Sequence, residues 1–258
     1  MTGSVITEEG DGIFRITLNR PEVLNALDAA TVDELSLAWE RAAQPSVGAV
    51  ILTGSGKGFC AGADITSART ESSRPMGLRH SYNPMILQMS AVSAPIIAAV
   101  NGAAAGAGLS LACAADIRIA SDSARFVPSF ASIGLIPDAG GTYFIPRLLG
   151  KARAFEWLSS GRKLEADEAL NIGLVNEVVP AESLLDRATA QADALAGMPG
   201  IGVPLTKTAI YGDMRRELAA QLETEDALQR EAFQAPGRAE ARAEMVKKLR
   251  NQNAEGAR

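Results

Sequence analysis

Three stretches of the 258-residue chain are too rich in glycine and alanine to be ordinary loops: Gly54–Asp64, Asn101–Gly108 and Pro137–Thr142. Small side chains let backbone N–H groups come close to a ligand, and two N–H groups aimed at one point stabilise a developing oxyanion. Close packing of a strand against a helix asks for the same residues, and for any single loop that explanation carries more weight. The other reactive side chains give weaker signals. His80, the only histidine, lies in the polar run Arg74–Ser81 and reads as a surface or pocket-rim residue rather than a general base. Ser110 lacks the second glycine and the preceding strand of a nucleophile elbow, so it reads as a packed residue or a polar group lining a pocket. Gly54-Ser55-Gly56-Lys57-Gly58 lacks the spacing and the Lys-Ser/Thr ending of a phosphate-cradling loop. Histidine and cysteine never recur at metal-ligand spacing, and no metal is expected.

The elements that must hold these loops alternate between strand and helix. Residues 4–8 and 12–19 read as a hairpin around Glu9-Gly10-Asp11-Gly12, with Phe14, Ile16 and Leu18 on one face. Thr31 and Glu34 have capping-box spacing before Val32, Leu35, Ala38, Trp39 and Ala42, which recur at helical intervals. Val47–Thr53, Ile96–Val100 and Ile117–Ala120 read as buried strands, with a helix filling Gly102–Ala115. Residues 139–172 read as helical, broken at Pro146, Gly150 and Gly161, before a last strand over Leu174–Val179. Beyond Pro180 only helical patterns remain, at 181–196, 203–213, 215–234 and 238–250, and their apolar faces need cover from the main domain or from another subunit. The boundary between an α/β core, 1–195, and a helical segment, 196–258, is set by that change.

Composition narrows the partners. With 47% hydrophobic residues the chain can bury a large core, and 25 basic against 30 acidic residues, in no long block, argue against nucleic acid. Cys60 and Cys113 sit among small apolar residues, a setting for reduced thiols. No basic-then-apolar leader opens the chain and no apolar run reaches the ~18 residues of a membrane span, so no membrane association is expected and the cytoplasm is the expected location.

Gly58-Phe59-Cys60-Ala61-Gly62-Ala63-Asp64-Ile65, Asn101–Gly108 and Ile133-Gly134-Leu135-Ile136-Pro137-Asp138-Ala139-Gly140-Gly141-Thr142, in this order, resemble the crotonase family of enoyl-CoA hydratases and isomerases. Asn25-Ala26-Leu27, Pro146–Gly150 and Ala166–Val179 extend the resemblance over nearly the whole chain. It implies an α/β fold of repeated ββα units in two nearly perpendicular sheets, and a C-terminal helical trimerisation segment giving a homotrimer or homohexamer. It also implies an acyl-CoA thioester as substrate, with coenzyme A as its carrier part and no permanently bound cofactor. The oxyanion donors become the N–H groups of Ala63 and Ala107. Leu24, Ala26, Ala61, Asp64, Ile65, Gly106, Phe130 and Lys247 become contacts for the thioester or its carrier, with Lys207 and Lys248 as further phosphate candidates.

The carboxylates then choose the chemistry. Hydratases of the family carry two glutamates where this chain has Ser110 and Phe130, and hydration needs one group for water and another for its second proton. Asp138, in place of a glycine, is the new acid beside the site, and it could equally cap the helix that follows. Isomerases that use an aspartate here, including those of phenylacetate catabolism, are similar through Tyr82-Asn83-Pro84, Gly106-Ala107-Gly108 and 136–142. Burial would raise the acid toward the working range. The reading favours shifting a 3-enoyl-CoA to a 2-enoyl-CoA with Asp138 as acid and base. Hydration of 2-enoyl-CoA and a non-catalytic acyl-CoA-binding subunit stand as alternatives, with serine-type hydrolysis, for which His80 is the sole histidine, last. Met76, Met85 and Met89 line either a pocket wall or the core.

Overall fold

The computed structural model describes residues 3–65, 77–212 and 214–256, the last nine of these by backbone alone. Met76 and most of the polar stretch from Ala68 lie outside them. The chain opens with β1 (Val5–Gly10) and β2 (Ile13–Leu18), paired antiparallel from Val5 opposite Leu18 to Gly10 opposite Ile13. The turn is shorter than expected: Asp11 and Gly12 are both left-handed, at φ 52° and 76°, the pair a two-residue hairpin demands. Phe14, Ile16 and Leu18 are fully buried on one face, as alternation dictates.

Helix α1 (Ala29–Ala42) follows, and its cap corrects the capping-box expectation. Asp28 accepts from Thr31 N at 2.9 Å and from Thr31 Oγ1 at 2.8 Å, so Thr31 sits inside the helix. Glu34 instead reaches out to accept from Val5 N at 2.8 Å. A carboxylate at the residue before the helix satisfies first-turn N–H groups directly, which leaves Glu34 free to pin β1.

Three strand pairs then repeat, each followed by a helix. They are β3 (Ala49–Gly54) and β4 (Gly58–Cys60) before α2 (Tyr82–Ala91), then β5 (Ile96–Val100) and β6 (Ala103–Ala105) before α3 (Ala107–Cys113). The third pair is β7 (Ile117–Ser121) and β8 (Arg125–Val127) before α4 (Gly141–Leu149). The first strand of each pair joins a six-stranded sheet ordered β1-β2-β3-β5-β7-β10, and the second joins a four-stranded sheet ordered β4-β6-β8-β9. Beyond the β1–β2 hairpin the larger sheet is parallel throughout, and β3 and β5 are buried over their whole length, as strands covered on both faces are. The expected single helix over Gly102–Ala115 is therefore a strand and a helix. Gly106, at φ 52° and ψ −128°, makes the break, in a conformation that L side chains rarely adopt.

The remainder is α5 (Lys151–Ser160), the short β9 (Leu164–Glu165), α6 (Ala166–Asn171), β10 (Glu177–Val179) and four helices, α7 (Leu184–Ala196), α8 (Gly202–Tyr211), α9 (Met214–Gln234) and α10 (Arg238–Gly256). The last runs beyond the expected end at 250. Leu184, Ala188 and Ala192 of α7 cover one face of the large sheet against Ala49, Ile51, Ile97, Ala99 and Ile119. Leu218 and Leu222 of α9 enter the main core. Helix α8 buries none of its own residues, and Leu205 and Ile210 are exposed on it. Among the described residues no helix is long and apolar enough to cross a membrane.

Candidate active site

The loop after β4 is held from behind by the turn before α1. Leu27 N donates to Gly62 O at 2.7 Å and Asp64 N donates to Leu27 O at 3.0 Å, a parallel bridge flanking Ala63. The bridge uses the groups on either side of Ala63, so Ala63's own N–H faces the opposite way. Gly62, at φ 84°, lies against the β6–α3 junction: a β-carbon there would stand 2.6 Å from Ala105 O and 3.0 Å from Ala107 N. Ala107 opens α3, whose first intrahelical bond is Ser110 N to Gly106 O at 3.1 Å, and first-turn N–H groups have no partner within their own helix. The two glycine-rich turns that carry Ala63 and Ala107 are thus in contact.

The other expected contacts gather around this point to different degrees. Ala61 is half-buried and donates to Leu24 O at 2.9 Å, and Leu24 is exposed and left-handed at φ 52°. Ala26 is buried and its carbonyl accepts from Arg20 Nη1 at 2.6 Å. Asp64 is also buried, with its carboxylate 3.2 Å from Arg20 Nη2, so its N–H and its side chain are both engaged in holding the loop. Phe130 is buried, and its ring edge would lie 4.0 Å from a β-carbon on Gly106. Ile65 O accepts from Arg242 Nη2 of α10 at 2.9 Å, while Arg238 packs on Gly134, so α10 spans from one loop to the other. Lys247 is exposed farther along α10, and the side chain of Lys248 lies outside the described residues. Lys207 is withdrawn from the phosphate candidates: Nζ is 2.7 Å from Asp116 and donates to Ala94 O at 2.9 Å.

Asp138 is 4% exposed, in a segment pressed onto α3. A β-carbon on Gly141 would lie 2.5 Å from Ser110 Oγ, one turn beyond Ala107. Ser110 is fully buried and its hydroxyl has no hydrogen-bond partner among the described residues. Asp138 does not cap α4 in the expected way. Gly140 occupies the cap position, and Glu225 of α9 takes the N–H groups of Gly140 and Thr142 at 2.9 Å each and the Thr142 hydroxyl at 2.5 Å. Burial pushes the Glu225 carboxyl up to about 7, against the pull of its donors and with a smaller push from Asp138. Gln229, one turn on, donates to Asp138 Oδ2 at 3.1 Å. Glu225 and Gln229 are the polar partners that reading the chain misses.

His80 is exposed. Met85 and Met89 are fully buried in the main core. Cys60 and Cys113 are free and buried, and burial pushes both thiols to about 12, leaving them inert at neutral pH. Among the described residues no group of three or more His, Cys, Asp and Glu could hold a metal ion.

Two mixed sheets threaded by repeated ββα units, with glycine-rich turns meeting beside a buried acid, define a crotonase-like α/β fold. The chain belongs to the enoyl-CoA hydratase/isomerase family, whose profile matches residues 8–254, and whose members act on CoA thioesters. A probable enoyl-CoA hydratase of Rhodobacter capsulatus is 42% identical over 229 residues, covering 88% of this chain and 89% of that protein. The 1,2-epoxyphenylacetyl-CoA isomerase of Escherichia coli is 38% identical over 232 residues, with 88% of each chain covered. The crystal structure of an enoyl-CoA hydratase/isomerase from Pseudoalteromonas atlantica superposes with a TM-score of 0.86 at 32% identity, covering 95% of this chain and 97% of that one.

Proposed function

We propose that the protein moves the double bond of a 3-enoyl-CoA to the 2-position. Asp138 takes a proton from C2, the N–H groups of Ala63 and Ala107 receive the charge that develops on the thioester oxygen, and Asp138 returns the proton at C4. The double bond then lies between C2 and C3. The observation that carries this reading is one buried carboxylate, Asp138, on a segment packed against α3 a turn beyond Ala107, with the Gly62–Ala63 turn touching the start of the same helix. One acid suffices for a proton that leaves and returns, whereas hydration needs two.

The decisive variant is Asp138→Asn, which keeps the shape and removes the base. Conversion of a 3-enoyl-CoA is expected to fall by about 10²–10⁴-fold with the fold intact, and full retained activity removes Asp138 from the chemistry. The oxyanion role is tested from behind the donor. Gly62→Val drives a side chain into Ala105 O and Ala107 N, and kcat is expected to drop by about 10²–10³-fold, the usual cost of one lost donor. An unchanged kcat in a folded variant rejects the two-donor arrangement.

Hydration of 2-enoyl-CoA is the second reading, favoured by the presence of a second carboxyl, Glu225, near Asp138. Both Glu225 oxygens are engaged at the start of α4, which leaves this acid poorly placed to handle a water. Loss of 2-enoyl-CoA absorbance at a rate matching or exceeding isomerisation would reverse the preference.

A further inference from the structure

Gln221, Glu225 and Gln229 recur every four residues on α9, and all three engage the segment 136–142. Gln221 Nε2 donates to Thr142 Oγ1 at 2.9 Å, which leaves the Thr142 hydroxyl proton directed at Glu225. Gln229 Oε1 accepts from Ile136 N at 3.1 Å, and its Nε2 donates to Ile136 O at 3.3 Å and Asp138 Oδ2 at 3.1 Å. Because Ile136 N needs an acceptor, only one orientation of the Gln229 amide is consistent with the backbone, and in that orientation it is the NH₂ that meets Asp138. The segment needs an external hold. Ala139 and Gly140 are consecutive left-handed residues, at φ 52° and 80°, and the first of them carries a β-carbon.

We propose that Gln229 is a positioning residue for Asp138, fixing the rotation of the carboxylate that moves the proton. The inference rests on the reading of Asp138 as the acid and base. A donor on a carboxylate stabilises its ionised form, so the Gln229 amide favours the charged Asp138 at which it is aimed. Among the described residues, the neighbouring elements bring charged groups of their own. On the flank of α9, Asp226 is 2.6 Å from Arg230 and accepts from Leu78 N at 2.9 Å, facing the 77–79 turn. Helix α10 brings Arg238 against Gly134, α3 brings only the neutral Ser110, and α4 begins with Gly141 and Thr142, its Arg147 being tied to Glu217 at 2.9 Å.

The test compares Gln229→Met and Asp138→Asn in the full-length enzyme with 3-hexenoyl-CoA, recording kcat, KM, the pH profile of kcat/KM and thermal unfolding. Gln229→Met keeps the length and removes the donor. Its kcat is expected to fall by up to about 10²-fold with KM little changed, the signature of a misplaced reacting group. The acid limb of kcat/KM should move up by about one pH unit in Gln229→Met. A folded Gln229→Met with an unmoved limb overturns the proposal. Should Gln229→Met fail to fold, Gln229→Glu keeps the acceptor for Ile136 N and sets an anion against Asp138. That limb must then rise further, and an unmoved one is equally fatal. Full activity in Asp138→Asn defeats the underlying reading instead, whatever the α9 variants do.

Discussion

At Asp116 an acid meets a base: Lys207 Nζ lies 2.7 Å away, and Asp116 Oδ2 also accepts from Ile96 N at 2.7 Å. Near Asp138, among the described residues, lies another acid, Glu225; Gly140 and Thr142 donate to Glu225, and the Gln229 amide donates to Asp138 Oδ2. Both clusters join the C-terminal helices to the core, one through α8 and one through α9. The first is closed electrostatically. Burial lowers the proton affinity of Lys207 while Asp116 raises it, and the neighbouring Tyr211 phenol is pushed up by burial first and by Asp116 second. The second holds a carboxyl, Glu225, that burial pushes up to about 7, so its charge changes near neutral pH. Opposite charges fasten the chain; like charges make its protonation state adjustable.

That contrast can be broken or refined by measurement. The largest change in stability is expected from Lys207→Met, which leaves Asp116 largely buried beside a thioether and should cost about 3–5 kcal/mol in chemical denaturation. The same variant should leave the acid limb of kcat/KM where it was, and a displaced limb would end the division between a fastening cluster and a titrating one. A smaller effect belongs to Glu225. Its folded-state pKa, about 7, lies above that of an unfolded glutamate, so the folded protein binds the extra proton between those two values. Stability therefore falls as pH rises through that window, by about 3 kcal/mol at most, and Glu225→Gln should flatten the slope. A slope that survives the substitution assigns the proton to a different group.

The large-sheet strands and the glycine-rich turns were legible in the chain because both depend on local rules. Unbroken apolar runs such as Ala49–Leu52 can only be covered strands, and glycine at 62 and 106 answers backbone angles that few other residues adopt. The α1 cap is ambiguous in sequence since Asp28 and Thr31 are both good capping residues three apart, and pattern alone does not rank them. Glu225 and Gln229 are hidden for a different reason. A buried carboxylate and a buried amide look like solvated helix residues when only hydropathy is read. One signal was present: Leu218, Leu222, Glu225 and Gln229 continue a single helical stripe, so the two polar residues lie on the face that the leucines bury.

The bridge between Leu27 and Ala63 has a consequence of its own. Asn25 moors the turn behind it through Ser55 O at 2.9 Å and Gly58 O at 2.8 Å, with Leu24 and Asn25 both left-handed. Whatever arrives in front of Ala63 meets an amide whose bearing is dictated from the rear, like a compass needle on a fixed pivot. Sequence drift on the approach side can reshape the surroundings while that bearing stays constant, and a change at the mooring would turn the amide from behind.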